Sequence, residues 1–217
     1  AERRTTLILV DGDTVEEKNL YRQNFIQSDV GKNKAAVLCS RYANAYGIHI
    51  EYVDRFVETK TELGALLSYT SQNAYDIVPI LIGCVDNYRA RRCMHEVFEG
   101  CRTEMIYIDA GNGETTGQVV VGVNFNRYWQ QNNSYLPPAG AIFQNLLEPE
   151  QEKGAEMVSC ADLSLRDGQS IMANMATANL VNIALNSIIN YRKLPFHIAT
   201  VDIKTGRVKT VPVKKKS

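Results

Sequence analysis

An apolar segment that runs directly into a polar loop constrains this chain more than any other feature. The segment Leu7-Ile-Leu-Val10 has the composition of a core strand, and Asp-Gly-Asp follows it at once. In open α/β sheets the ligand crevice lies beyond the carboxyl ends of the strands, where a carboxylate can accept hydrogen bonds from ribose hydroxyls. The pattern therefore favours nucleotide-handling chemistry, with an ordinary acidic loop as the alternative. The polar residues of this loop are Asp11, Asp13, Asn19, Arg22 and Gln23.

Size and charge balance indicate one folded unit. A chain of 217 residues can bury a full core as one domain. Its 24 Lys and Arg residues balance 24 Asp and Glu residues, so no net charge points to nucleic acid. The longest uncharged apolar run, 77–85, is far shorter than the ~20 residues that cross a bilayer, and the first residues lack a signal-peptide core. We therefore expect a cytoplasmic protein with no nucleic-acid or membrane partner.

Cysteine usage disfavours two kinds of site. Five cysteines with no Cys-x-x-Cys pair disfavour both a disulfide framework and a four-cysteine zinc site. Cys39 and Cys84 fall within apolar helix and strand patterns, which predicts that they are small buried hydrophobic residues. The other three are Cys93, Cys101 and Cys160.

Strand and helix patterns alternate through the first half of the chain. Apolar residues recur at helical spacing over 30–46, with Gly47 as the C-cap. A continuous β-branched run over 77–84 is typical of a strand buried on both faces. Strands are also predicted over 48–53, 105–109 and 118–123, and helices over 61–69 and 87–100. This order predicts a parallel βαβ series, that is, a Rossmann-like, mostly parallel sheet flanked by helices.

The second half begins with a segment that carries no regular pattern. Residues 124–159 are rich in Asn, Gln, Pro and Gly, and we interpret them as an irregular, crossover-type insertion within a single domain spanning 1–217. Helical spacing returns over 169–191, and 196–213 indicate a β-hairpin turned at Thr205-Gly206. The predicted fold class is therefore α/β, with a long carboxyl-terminal helix and a β-hairpin.

Three further segments join the opening motif, and the set resembles the ThiF family, the prokaryotic relatives of the ubiquitin-activating enzymes. The segments are Asp29-Val-Gly-Lys-Asn-Lys34, Cys84-Val-Asp-Asn-Tyr-Arg-Ala-Arg91 and Ile108-Asp-Ala-Gly-Asn-Gly-Glu-Thr-Thr-Gly-Gln118. Together they give Asp-x-Asp-x-Val, Asn-Leu-x-Arg-Gln, Gly-x-x-Lys, Asp-Asn-x-x-x-Arg and Gly-Gln in order, which is far more specific than any single motif. Ser159-Cys160-Ala161 and Gln169-Ser-Ile-Met-Ala-Asn174 further resemble the ThiF-like proteins of PRTRC plasmid systems.

The resemblance implies ATP-dependent adenylation of the carboxyl-terminal glycine of a ubiquitin-like or sulfur-carrier protein, with release of pyrophosphate. It implies ATP and Mg²⁺ as cofactors and a homodimer as the assembly. Asp11 would lie at the ribose and Asp86 would hold Mg²⁺. Asn19, Arg22 and Lys34 would supply donors for the triphosphate. The implied nucleotide-binding set is Asp11, Asp13, Asn19, Arg22, Gln23, Lys34, Asp86 and Asn87, and the implied catalytic set is Arg22, Lys34, Asp86 and Cys160.

Several of these residues also have a purely structural interpretation. Asp13 and Asn19 could cap the turn that follows them, and Arg22 could pair with a surface carboxylate. Lys34 could be a solvated residue in the first turn of a helix. These alternatives are ordinary for each residue alone, whereas the ordered series of motifs favours the functional interpretation of the set.

Arg91, Gln118 and Cys160 are further candidates. Arg91 matches the arginine of Asp-Asn-x-x-x-Arg, but on a helix it could equally support Asp86 through an ion pair. The resemblance implies that Gln118 shapes the channel for the partner's flexible tail. In ubiquitin-activating relatives a cysteine downstream of the adenylation site receives the acyl group as a thioester, and Cys160 could do so. An inert thiol is the alternative, because a reactive thiol needs a lowered pKa.

The chain also departs from the family pattern. ThiF-like proteins begin with a strand and a glycine-rich loop that wraps phosphates at a helix amino terminus, and neither precedes Leu7. We therefore expect an amino-terminally incomplete domain, completed in a longer native protein or by a separate polypeptide. Two rival functions stay open: a non-catalytic scaffold half of an activating-enzyme complex, and an enzyme that adenylates a peptide carboxylate.

Overall fold

A computed structural model describes residues 5–68, 78–124, 135–149 and 170–213. The chain divides into two compact units, with the boundary between Glu58 and Thr59. Each unit contains its own sheet. The extent of the domain, 1–217, and the insertion at 124–159 stay predictions.

The first unit contains two parallel strands and one long helix. Its elements are strand β1 (Leu7–Val10), helix α1 (Lys34–Tyr46) and strand β2 (Ile50–Val53). The predicted C-cap is confirmed, because Gly47 has a φ of 63°, the left-handed conformation that glycine adopts at helix ends. The helix begins later than predicted, at the N-cap Asn33, because the 3-10 helix Gln27–Asp29 and a turn precede it. A second 3-10 helix, Glu17–Tyr21, lies in the loop after β1.

The second unit contains a mixed sheet. Its strands are β3 (Ile80–Gly83), β4 (Met105–Asn112), β5 (Thr116–Asn124), β6 (Tyr135–Leu136), β7 (Ile198–Asp202) and β8 (Arg207–Val211). The spatial order is β3-β4-β5-β7-β8, with the short β6 paired to β5. Within this sheet β3 and β4 are parallel, and every other pair is antiparallel. Strands β7 and β8 form a hairpin, which confirms the β-hairpin predicted over 196–213.

Helices cover this sheet and build its core. They are α2 (Lys60–Ser68), α3 (Tyr88–Glu99), α4 (Ala139–Ile142) and α5 (Ile171–Tyr191). α5 packs on β4, β5 and β7, and its Ala184 belongs to the same core cluster as the valines of these strands. Burial of this continuous apolar surface is the main driving force for folding of the unit. The best-buried members of the core are Ile108, Val119, Val121, Ala184 and Ala199.

Two expectations from the sequence were wrong. The strand predicted over 118–123 was expected in a parallel series, but β5 runs antiparallel to β4. Only residues 113–115 connect these strands, and a parallel connection needs a crossover of about a dozen residues. Cys39 is buried as expected, whereas Cys84 is exposed because β3 already ends at Gly83. No helix in the described part of the chain is long and apolar enough to cross a bilayer.

Candidate functional site

The loop after β1 is fixed by the side chain of Asn33. The Asn33 amide donates to the backbone carbonyl oxygens of Asp11 at 2.7 Å and Asp13 at 3.1 Å. Its carbonyl oxygen accepts from the N–H of Ala36 at 2.9 Å and so caps α1. The Asp11 carboxylate in turn accepts from the N–H of Asp13 at 2.9 Å. One side chain therefore holds the carboxyl end of β1 against the amino end of α1.

Lys34 and Asp13 form an ion pair in this loop. Lys34 Nζ lies 2.8 Å from Asp13 Oδ2, and the two side chains are 13% and 54% exposed. The alternative that Lys34 is a fully solvated first-turn residue is therefore wrong, because its ammonium group has a defined partner. The partner carboxylate is half in solvent, so an incoming phosphate could compete for the same ammonium group.

Asn19, Arg22 and Gln23 belong to the 3-10 turn that follows. Asn19 is 2% exposed, and its side-chain oxygen accepts from the N–H of Glu16 at 2.8 Å. This contact supports the structural, turn-capping interpretation of Asn19. Arg22 is half-buried at the end of the 3-10 helix. Gln23 Oε1 is buried and finds no hydrogen-bond partner among the described residues.

Asp29 is a buried carboxylate that holds the end of this loop. The sequence analysis assigned it no role. Its Oδ2 accepts from the N–H of Ile26 at 2.8 Å and from the guanidinium of Arg41. The Ile26 N–H and the Arg41 guanidinium lower the pKa of Asp29, with a smaller effect from Lys32, and these effects exceed the opposing cost of burial. The available signal was the position of Asp29 two residues before Gly31, the first residue of the Gly-x-x-Lys motif.

In the second unit, Asp86 and Asn87 lie between β3 and α3. Asn87 is the N-cap of α3, and its side-chain oxygen accepts from the N–H of Ala90 at 2.9 Å. Asp86 is exposed beside it, at the carboxyl end of β3 as the sequence predicted. The helix amino terminus adds a partial positive charge at this point, which favours an anion nearby.

Asp86 suits a magnesium ion that is bound mainly through phosphate. No group of three or more His, Cys, Asp or Glu side chains in the described ranges could hold a metal by itself. Mg²⁺ keeps several waters and commonly uses one or two carboxylates together with substrate phosphates. A single exposed carboxylate therefore fits that role and does not fit a dedicated protein cage.

Behind this junction lies a buried polar cluster made of Arg91, Asp109 and Tyr107. Arg91 Nε lies 3.4 Å from Asp109 Oδ2, and the two side chains are 5% and 7% exposed. Tyr107 donates its hydroxyl to the same Asp109 oxygen at 2.7 Å. The sequence alternative that Arg91 pairs with Asp86 is therefore wrong, because among the described residues its ion pair is with Asp109. Strand β4, which carries Asp109, leaves little room beside Arg91, because a Cβ on its Gly111 would lie 3.1 Å from Arg91 Nη2.

Burial dominates the electrostatics of this cluster. Desolvation raises the pKa of Asp109, although the Arg91 charge and the Tyr107 hydroxyl oppose it. Desolvation and the neighbouring Asp109 carboxylate raise the pKa of Tyr107, which keeps its hydroxyl protonated and able to donate. The cluster is therefore an internal support with no exposed reactive group.

Gln118 and Cys160 are the two remaining candidates. Gln118 lies on β5, where it pairs with Gly111 on one side and Thr200 on the other. Cys160 lies outside the described residues, so its proposed thioester role stays a prediction.

Solved structures and one family model match this chain. PaaA matches with 19% identity and a TM-score of 0.62, over 96% of this chain and 65% of that one. E. coli MccB matches in its complex with ATP, at 16% identity and a TM-score of 0.61 over 97% of this chain and 57% of that one. MccB with MccA-N7isoASN matches at 17% identity and a TM-score of 0.61, over 97% of this chain and 58% of that one.

These likenesses concern the fold, and the chain spans between about half and two thirds of the length of these structures. No curated protein matches the chain. The model of the ThiF family matches residues 5–217, which is nearly the whole chain. The chain therefore belongs to the ThiF family.

Proposed function

We propose that this protein uses ATP to adenylate the carboxyl-terminal carboxylate of a ubiquitin-like or sulfur-carrier protein, with release of pyrophosphate. The observation that carries the proposal is the loop after β1, in which Asn33 fixes the backbone at Asp11 and Lys34 pairs with the half-exposed carboxylate of Asp13. Membership of the ThiF family supports it, as does the likeness in fold to MccB, which was solved with ATP.

The proposed reaction needs positioned charge and no protein nucleophile. A carboxylate oxygen of the partner attacks the α-phosphorus of ATP, a new P–O bond forms, and the bond to the β-phosphate oxygen breaks. Arg22 and Lys34 would stabilise the negative charge that develops on the phosphoryl oxygens. Asp11 would accept hydrogen bonds from the ribose hydroxyls. Asp86 would hold Mg²⁺, which neutralises phosphate charge when bound.

The capping contacts refine which donors each residue offers. The side-chain oxygen of Asn87 already accepts from Ala90, so Asn87 would meet a phosphate with its amide N–H groups. Asn19 keeps its oxygen on the Glu16 N–H and would act mainly by holding the loop in shape. Gln23 carries a buried oxygen without a partner among the described residues, and it would accept from a nucleotide donor.

A peptide carboxylate is the second candidate substrate. Some of the MccB neighbours were solved with MccA and one with MccA-N7isoASN, so a peptide accompanies that fold in those structures. In this alternative the nucleotide chemistry is the same and only the acceptor differs. A non-catalytic scaffold would instead leave Lys34, Arg22 and Asp86 without a chemical task.

The experiment is ATP–pyrophosphate exchange with two kinds of acceptor offered to the full-length protein. One acceptor is a small ubiquitin-like protein ending in Gly-Gly, and the other is a short peptide with a free carboxyl end. We expect exchange with the ubiquitin-like protein, its loss in Lys34→Met, and its retention in the control Lys32→Met, an exposed lysine two positions away. Exchange with the peptide alone would select the second candidate, and exchange with neither would favour the scaffold.

A further inference from the structure

The cluster of Arg91, Asp109 and Tyr107 connects the interior of the sheet to the exposed start of α3. Arg91 belongs to the first turn of α3, which begins at Tyr88. Asp109 lies on β4 directly opposite Gly83, the last residue of β3. The ion pair therefore joins the first turn of the helix to the strand next to the one that leads into it.

The first turn of α3 is also the turn that fixes Asn87 and Asp86. The N–H of Arg91 donates to the backbone oxygen of Asn87 at 3.3 Å, and the N–H of Ala90 donates to the Asn87 side chain. A short chain of contacts thus runs from Asp109 through Arg91 to Asn87, and Asp86 is the adjacent residue. Movement of the Arg91 side chain would change the position of the residue proposed to hold Mg²⁺.

A buried ion pair is an unusual choice for stability alone. Removing two charges from water is costly, and apolar residues of similar size often stabilise a core equally well. An ion pair that includes a hydroxyl donor also fixes the orientation of its side chains. The Tyr107 hydroxyl holds one Asp109 oxygen, and the same oxygen faces Arg91 Nε. On the far side, the missing side chain of Gly111 leaves space for Arg91 Nη2.

We propose that Asp109, held by Tyr107, is a positioning residue that fixes the amino-terminal turn of α3, and with it Asp86, through Arg91. The magnesium part of this inference rests on the proposed function. The positional part does not, because it concerns contacts within the second unit alone.

The test compares three variants of the full-length protein. Asp109→Asn keeps the size of the side chain and removes its charge. Tyr107→Phe combined with Arg91→Met and Asp109→Leu replaces the whole cluster by apolar groups and avoids a stranded charge. Val121→Ala is the control, because Val121 is fully buried in the core beneath α5 and its truncation lowers stability. Val121 pairs with Ile108, so its side chain lies on the sheet face opposite to those of Tyr107 and Asp109.

Two readouts separate positioning from general stability. Hydrogen exchange is followed at the amides of Ala90 and Arg91, and the Mg²⁺ concentration that half-saturates ATP binding is measured by calorimetry. We expect faster exchange at both amides in Asp109→Asn and in the triple variant, and a half-saturating Mg²⁺ concentration raised about tenfold, as for other residues that orient a metal ligand. Val121→Ala should change neither.

The two hypotheses fail in different ways. If the native protein binds no Mg²⁺-ATP, the proposed function fails, while the exchange rates still decide whether Asp109 fixes the turn. If Ala90 and Arg91 exchange no faster in Asp109→Asn than in Val121→Ala, or if the triple variant behaves as the native protein in both readouts, the positioning role of Asp109 is overturned.

Discussion

The two units use their acidic and basic side chains in opposite ways. In the first unit Lys34 and Asp13 pair at the surface, with side chains 13% and 54% exposed. In the second unit Arg91 and Asp109 pair in the interior, with side chains 5% and 7% exposed. An exposed pair contributes little to stability and can exchange its partner for a ligand, whereas a buried pair cannot part without a large cost. The difference separates side chains suited to meet a ligand from side chains suited to support them.

Breaking the buried pair should have the largest effect on stability. Asp109→Asn leaves the Arg91 charge in the interior without a counter-charge, and we expect a loss of about 3–5 kcal/mol in the free energy of unfolding. Urea denaturation of the native and variant proteins measures it. A loss below about 1 kcal/mol would place this pair in the same class as an exposed one and remove the contrast.

Asn33→Ala should have an intermediate effect, because it removes an N-cap and two further hydrogen bonds of the first unit. Loss of the cap costs about 1 kcal/mol, and loss of the contacts to Asp11 and Asp13 adds about as much again. Thermal unfolding of Asn33→Ala should therefore show a clear decrease. The matched control is Asn44→Ala, an exposed asparagine inside α1, which should be neutral or slightly stabilising.

Asp29 should make the stability of the protein depend on pH in the acid range. Its lowered pKa means that the folded state favours the carboxylate. Its contribution is therefore fully present above the unfolded pKa of about 3.9 and is lost as the pH falls through the lower folded value. Denaturation at a series of pH values should show a smaller acid decrease in Asp29→Asn than in the native protein. Asp54→Asn, which removes an exposed carboxylate of the same unit, should leave the acid decrease unchanged.

Lys34→Met should have the smallest effect on stability. The Lys34–Asp13 pair is partly in solvent, so its loss should change the free energy of unfolding by less than about 1 kcal/mol. Denaturation of this variant beside Lys32→Met checks the expectation. A loss as large as that of Asp109→Asn would show that Lys34 is a structural residue and would contradict its assignment as a group free to meet a phosphate.

Much of the fold follows from local patterns, and strand direction does not. Helical spacing located α1, α3 and α5 to within a few residues, and Gly47 marked an end because a left-handed residue there suits glycine. Alternation of apolar and polar residues and a high content of β-branched residues indicate a strand, but they do not indicate whether it runs parallel or antiparallel to its neighbours. The antiparallel course of β5 follows from the short connection 113–115, a signal that was present in the sequence but outweighed by the expected βαβ repeat.

The candidate site was also predictable from the sequence only in part. The position of Asp86 at the end of β3 was predictable, because polar residues between a core strand and a helix lie at the carboxyl end of that strand. The partner of Arg91 was not, because it depends on the register that sets Gly83 opposite Asp109 in the parallel β3–β4 pair. Asn33 lay inside the helix predicted over 30–46, and its role as N-cap and its contacts to the β1 loop depend on the tertiary structure.

The most direct measurement of the central claim is calorimetric binding of Mg²⁺-ATP to the full-length protein, since it needs no knowledge of the acceptor. We expect that the native protein binds Mg²⁺-ATP, that Asp11→Ala abolishes binding, and that binding to Asp86→Ala no longer depends on Mg²⁺. The absence of binding by the native protein, or equal affinity in Asp11→Ala, would contradict the account and favour a non-catalytic scaffold.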